Sequence, residues 1–253
     1  MEGASPGHGR RRGRTIKILA AAAVAVLAVA GAAVLVLHPR PGRIPVHVLP
    51  VGQNINSATA IAVDGPHVWV ASETDRWGGS VTELDASDGR WVRTLSGARY
   101  GFHSPTAIAA DGAHLWVTNL YPGVDGGSVT ELNAGDGSWV ATLTGGCYSF
   151  DSPHGIAVDG SHIWVANSGA SQAGGSVTEL NASNGRWIQT LSDGTWIQSL
   201  LRGCIPGVLA SGGYHFSDPG LVAAVGPRIW VFGRDGVRVL TDPAARPGRG
   251  ERP

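Results

Sequence analysis

The sequence has 253 residues, is 43% hydrophobic and only 15% charged, and contains 38 glycines and nine tryptophans. Average usage is about 25% charged and about 7% glycine. This composition therefore excludes a coiled coil, a helical bundle and a charged disordered chain, and it fits short strands joined by tight turns. The formal charge is zero, but residues 1–43 hold seven Lys/Arg and a single Glu, which leaves 12 basic and 18 acidic groups, a net of −6, beyond them. A domain without a basic footprint is not expected to take a nucleic-acid partner.

Residues 1–17 read as a basic cytoplasmic stub. Ile18 to Leu37 is an unbroken run of 20 residues made of Ala, Val, Leu, Ile and one Gly, long enough for a transmembrane helix across a hydrocarbon core of roughly 30 Å. Five basic residues precede it, so the positive-inside rule predicts a cytoplasmic Met1 and an extracytoplasmic remainder. Ala28-Val29-Ala30 offers a signal-peptide cleavage site as the alternative, but the apolar run continues past it, which favours a single-pass anchor in the cell membrane. A linker over 38–43 leads to a lone predicted strand, Ile44-Pro-Val-His-Val-Leu-Pro-Val51.

The remainder is organised by a repeat. Ile61-Ala-Val-Asp-Gly-Pro-His-Val-Trp-Val returns as Ile108-Ala-Ala-Asp-Gly-Ala-His-Leu-Trp-Val and as Ile156-Ala-Val-Asp-Gly-Ser-His-Ile-Trp-Val, at spacings of 47 and 48. Gly79-Ser-Val-Thr-Glu-Leu-Asp recurs from Gly127 and Gly175, and Trp91-Val-Arg-Thr-Leu recurs from Trp139 and Trp187. A worn fourth copy begins at Val222, 66 residues after the third. Each copy predicts four short strands; in the second they are 107–110, 115–119, 128–133 and 139–143. Asp111-Gly112 and Asp136-Gly137 supply hairpin turns, because both turn residues tolerate positive φ. The fourth copy predicts three strands, 221–225, 228–232 and 237–241. Four strands per 40–50 residues is the pattern of a propeller blade. The fold class is therefore all-β, a small β-propeller of about four four-stranded blades over 44–241, followed by a disordered tail over 242–253. Two arrangements stay open: closure of the ring by the 44–51 strand, or an open array completed by another chain.

The blocks "IAVDGSHIWVANSG", "GGSVTELNASNGRWI" and "SPHGIAVDG" resemble the YVTN/NHL-type bacterial propeller repeats, the group that includes streptogramin-lyase-like proteins. That resemblance implies six or seven blades, more than are found here. It also implies a histidine with nearby acidic groups on one face, acting with Mg²⁺. His154 stands where the other copies have Thr59, Thr106 and Gly220, at the start of an inner strand. It is the candidate general base, with Asp151 as its orienting carboxylate.

Recurring residues are read as structural: Trp69, Trp116, Trp164, Trp230, Trp91, Trp139 and Trp187 as packing between blades, and His67, His114 and His162 as turn or strand-start hydrogen bonding. Glu83, Glu131 and Glu179 are structural or solvent-facing on the same logic. No calcium loop is expected, because the carboxylates are not clustered, and no metal site is assigned. Function is sought where the copies differ. The predicted ligand face comprises Glu73, Asp75, Trp77, His103, Asn119, Tyr121, Asp125, Asn167, His215, Asp218, Arg234 and Asp235. Cys147 and Cys204, both between blades, are permitted to pair outside the cytoplasm; disulfide and free thiols both stay open. The expected function is a non-catalytic module that binds a protein, peptide or glycan without a cofactor. The alternative is a metal-dependent lyase or hydrolase of a small molecule, with Mg²⁺.

Overall fold

Alternating apolar residues punctuated by Asp-Gly and Asn-Gly turns cannot bury one face as a helix, and they fold as antiparallel ladders. The computed structural model describes residues 55, 57–120, 126–169, 174–192 and 214–241. The 18–37 segment, the 44–51 strand, the tail, Tyr121, Asp125, Cys204 and most of the 193–217 insertion lie outside the described residues. Among the described residues no helix is long and apolar enough to cross a membrane.

The first blade contains β1 (Ala58–Asp64), β2 (His67–Thr74), β3 (Gly78–Asp85) and β4 (Trp91–Ser96). The second contains β5 (Pro105–Ala110), β6 (His114–Asn119), β7 (Ser128–Asn133) and β8 (Trp139–Leu143). The third contains β9 (Pro153–Val158), β10 (His162–Asn167), β11 (Ser176–Asn181) and β12 (Trp187–Leu191). The fourth, with β13 (Leu221–Val225), β14 (Arg228–Gly233) and β15 (Gly236–Thr241), is three-stranded among the described residues. Each sheet runs in simple up-and-down order. The strands expected from the repeat are found within two residues.

The core is stacked between blades. Trp69, Ala71, Val81 and Leu95 of the first blade pack on Ile108, Leu115, Val117 and Leu132 of the second. The same faces meet between the second and third blades, with Trp116 against Ile156, Ile163, Val165 and Leu180. Trp164, Val177 and Leu191 meet Ile229 and Val231 of the fourth. Every junction is thus one Trp-bearing face against one Ile-bearing face, which is what a repeat must do to bury a continuous core.

The two recurring tryptophan sets part company here. Trp69, Trp116 and Trp164 are buried, but Trp91 and Trp139 are exposed and Trp187 is half-buried. The reason is a β-bulge repeated in each four-stranded blade, at Glu83/Leu84, Glu131/Leu132 and Glu179/Leu180, which gives the outer strand one extra residue. A bulge turns the local side chains off the ladder. The indole Nε1 atoms of Trp91, Trp139 and Trp187 then donate to Thr94, Thr142 and Thr190 Oγ1 at 3.0, 3.0 and 2.9 Å. Trp91 and Trp139 cap the bulge at the surface, whereas Trp187 also packs against the core between the second and third blades.

A second device recurs in the loops between blades. Tyr100 stacks on Phe102, Tyr148 on Phe150 and Tyr214 on Phe216, with ring centroids 5.5, 5.4 and 6.1 Å apart. All three phenylalanines are buried in the adjoining junction cores. This Tyr-x-Phe spacing precedes the inner strands of the second, third and fourth blades, a weaker repeat that the sequence reading did not single out.

Candidate functional site

One recurring backbone bond gathers the variable segments at one end of the blades. The loop before each inner strand accepts from the end of the second strand: Glu73 N–H to Ser57 O at 3.1 Å, Leu120 to Ser104 at 3.2 Å, Ser168 to Ser152 at 3.0 Å and Arg234 to Ser217 at 2.7 Å. Ser57, Ser104, Ser152 and Asp218 in these loops take positive φ of 42–55°, a conformation uncommon for non-glycine residues that clusters at functional sites. The opposite ends carry the repeated hairpins. There the Ser87 hydroxyl and amide bind Asp85 Oδ1 at 2.6 and 2.8 Å and hold its carboxyl below the usual range.

Of the predicted ligand-face residues, Asp75, Trp77, His103, His215, Asp218, Arg234 and Asp235 are exposed. Trp77 is 67% exposed and ends a 3-10 turn over Asp75–Trp77. Glu73 is half-buried and accepts from Ser104 Oγ of the next blade at 3.1 Å. Asn119 and Asn167 are instead fully buried. Their Nδ2 atoms donate to Ser128 and Thr130, and to Ser176 and Thr178, at 3.1–3.2 Å. Those amides knit second strand to third inside the blade and are not presented to a ligand.

Around His154 the geometry is specific. Its Nδ1 lies 2.8 Å from the Ser152 carbonyl and 3.1 Å from Ser168 Oγ. A carbonyl only accepts, so Nδ1 carries the proton and Nε2 is left as the basic nitrogen. Asp151 sits in the same loop, where its backbone carbonyl accepts from Gly169 N–H at 3.1 Å. Ser152 and Ser168, which sequence reasoning did not single out, set the tautomer.

The fourth blade concentrates charge at this end. Arg234 Nη2 pairs with Asp218 Oδ2 at 3.1 Å, Asp235 accepts from Ser217 Oγ, and Arg238 lies 3.9 Å from Asp235. Asp235 and Arg238 border a shallow, open hollow lined also by Phe216, Pro219 and Val231. Among the described residues no group of three or more His, Cys, Asp or Glu side chains is placed to hold a metal ion. Cys147 is exposed and disulfide-bonded.

The recurring glutamates lie on the buried Trp faces. Glu83 pairs with His67 Nδ1 at 2.5 Å and Arg93 Nε at 2.6 Å. Glu179 meets His162 Nε2 at 3.6 Å and accepts from Gln189 at 2.5 Å. Each histidine ring in turn lies against the buried tryptophan, at 5.7–6.3 Å between centroids. In the second blade Ala141 stands where Arg93 and Gln189 stand in the others, and Glu131 meets His114 Nε2 at 3.7 Å. Burial pushes the Glu131 carboxyl above its ordinary value of 4.5; Asp111 adds to the rise and His114 opposes it. A raised folded-state pKa contributes stability that is present below the unfolded value and lost as pH climbs through the folded one. Glu131→Gln stays neutral throughout. It is expected to match the parent in urea unfolding near pH 4 and to exceed it at pH 7 by on the order of 1 kcal/mol.

No protein-family model matches the sequence, and no curated protein matches it. Solved structures do. A functionally unknown protein from Desulfotomaculum acetoxidans aligns with a TM-score of 0.53 and 12% identity, over 79% of this chain and 56% of that one. Hydrazine synthase of Kuenenia stuttgartiensis aligns at 0.52 and 17% identity, over 79% and 50%. The WD40 domain of Neurospora crassa Pan2 aligns at 0.51 and 9% identity, over 78% and 53%. The chain therefore spans about half the length of these proteins, and at such identities the likeness concerns architecture alone. The up-and-down sheets, the repeated face-to-face junctions and this likeness make the chain a protein of the β-propeller fold.

Proposed function

We propose that the chain is a membrane-tethered, extracytoplasmic β-propeller that binds a protein, peptide or glycan through the loop end of its blades, without a cofactor. One observation carries this reading. In the first three blades equivalent positions hold nearly identical residues at the hairpin ends but different ones at the loop end, with Asp75 and Trp77 in the first and His154 and Ser168 in the third, and the fourth blade adds Asp218, Arg234 and Asp235 at that same end. Packing demands the same residue from every copy, so side chains that differ while the backbone bond is kept answer to something outside the blade. The 20-residue apolar run after five basic residues supports the tether. The resemblance of the repeats to the YVTN/NHL type supports the propeller.

The test is binding of the full-length chain to peptide and glycan arrays, followed by titration of the hits. Trp77→Ala and the double variant Arg234→Ala/Asp235→Ala are expected to weaken a true ligand at least about tenfold. Trp91→Ala, at the opposite end, is expected to leave it unchanged. Equal loss from all three variants sinks the proposed face.

A second reading, a metal-dependent lyase or hydrolase acting with Mg²⁺, draws on the basic Nε2 of His154, fixed by the Ser152 carbonyl. It is tested by Mg²⁺-dependent thermal stabilisation that His154→Ala abolishes.

A further inference from the structure

Every internal junction joins the Trp face of one blade to the Ile face of the next. The array therefore ends on one face of each kind. On the Ile face of the first blade, Ile61 is 64% exposed, whereas Ile108 and Ile156 at the matching positions are 7% and 8% exposed. Val63 beside it is 68% exposed. On the Trp face of the fourth blade, Leu221 and Val225 are 65% and 68% exposed, and Phe232, Val237 and Val239 are uncovered as well.

That last face is no copy of the internal ones. The ladder register puts Leu221 where the earlier blades have Ala60, Ala107 and Gly155, and Phe232 where they have Ala71, Thr118 and Ala166. Val225 takes the place of an aspartate in all three, and Val239 takes the place of the buried Glu83, Glu131 and Glu179. The His–Glu pairing of the internal blades is thereby deleted and replaced by branched and aromatic side chains. A soluble surface has no use for that exchange, because contiguous apolar faces on monomers mark interaction sites.

We propose that the Trp face of the fourth blade receives the first blade of a second copy of this chain, so that two copies joined head to tail close a ring of eight blades. The occupant is identified by continuity with the internal junctions: the surface that fits a Trp face in this molecule is an Ile face, and the exposed one belongs to the first blade. The chain's own first blade does not cover it, because Ile61 and Leu221 are both about two-thirds exposed in the same structure. A strand added at the edge of β15 would extend the sheet sideways and leave its face open. Four blades cover 53% of the Pan2 WD40 domain, and eight is within the size range of closed propellers. A heterologous contact of this kind either closes a ring or grows a filament; two arcs of four blades close. This contact uses blade faces, not the loop end, and does not rest on the binding reading above.

The test is the mass of the full-length chain, kept in solution with a mild detergent, by light scattering corrected for bound detergent. The expected protein mass is twice the 26.1 kDa of one chain. Ile61→Glu and, separately, Leu221→Glu are expected to halve it and to weaken association at least about 100-fold, because each would bury an unpaired carboxylate at the junction. Both side chains are largely exposed in the single chain, so folding should survive, and an unchanged melting curve checks this. A mixture of an Ile61→Cys copy and a Leu221→Cys copy should give a two-chain product with a short bis-maleimide, while neither copy alone should. A wild-type mass of one chain overturns the proposal. So does a cross-link within one chain carrying both cysteines, or a mass that keeps growing with concentration.

Discussion

Trp116→Ala is expected to lower the free energy of unfolding by about 3–5 kcal/mol, whereas Trp139→Ala is expected to cost less than about 1 kcal/mol. Both residues belong to sets that recur in register, and by sequence alone they are equivalent. Trp116 is 0% exposed and sits in the junction between the second and third blades with Phe150, Ile156, Ile163 and Leu180. Its removal empties the centre of a layer that two rigid sheets cannot both collapse into, so the cavity term adds to the lost transfer energy. Trp139 is 41% exposed and makes one bond to Thr142 Oγ1 across the bulge. Urea unfolding of the two variants side by side decides the matter through the transition midpoint at constant m. A Trp139→Ala midpoint as low as that of Trp116→Ala would mean that the outer strand carries the junction.

What the sequence made legible follows from which neighbours lie close in the chain. The strands and their turns are local: Asp111-Gly112 and Asp136-Gly137 fix two hairpins, and the period-2 alternation of Ser128–Asn133 fixes which side chains share a face. The blade count within the described residues follows too, including the three strands of the worn fourth copy. The division between Trp116 and Trp139 was not legible, since it depends on a bulge that gives no signal in residue type. Nor was the burial of Asn119 and Asn167, whose amides are satisfied by hydroxyls nine and eleven residues away across the ladder. Trp77, Asp218, Arg234 and Asp235 stand out in the sequence because they break the repeat, and the structure leaves all four exposed. Ser152 and Ser168 were passed over because serine in a loop is unremarkable until a histidine ring lies against it. The substitutions that strip the fourth blade of its aspartate and glutamate were visible as letters, but their meaning needed the register that aligns Val239 with Glu83.

Gly127→Ala is expected to destabilise the protein by about 1–3 kcal/mol by overpacking, and to do so by wedging two blades apart. A Cβ at Gly127 would stand 2.3 Å from Pro153 Cδ and 2.7 Å from its Cγ, with Asn119 O at 3.2 Å. Proline has no rotamer to give, because its ring is tied to the backbone, so relief requires movement of the loop that starts β9. The same contact recurs at Gly79 on Pro105, 2.5 Å, and at Gly175 on Pro219, 2.0 Å. The second glycine of each "GGSV" block is therefore a close-approach position, not a turn. A contrast is Gly135→Ala, whose nearest neighbour is Asn133 Oδ1 at 3.2 Å in an exposed turn, and which is expected to change stability by less than about 0.5 kcal/mol. The decisive comparison is Gly127→Ala/Pro153→Ala. Removing the pyrrolidine ring makes room for the new methyl group, so the double variant should be at least about 1 kcal/mol more stable than the sum of the single effects. Strict additivity in urea unfolding would show that the two residues do not meet, and that the blades are not held at the spacing the glycine permits.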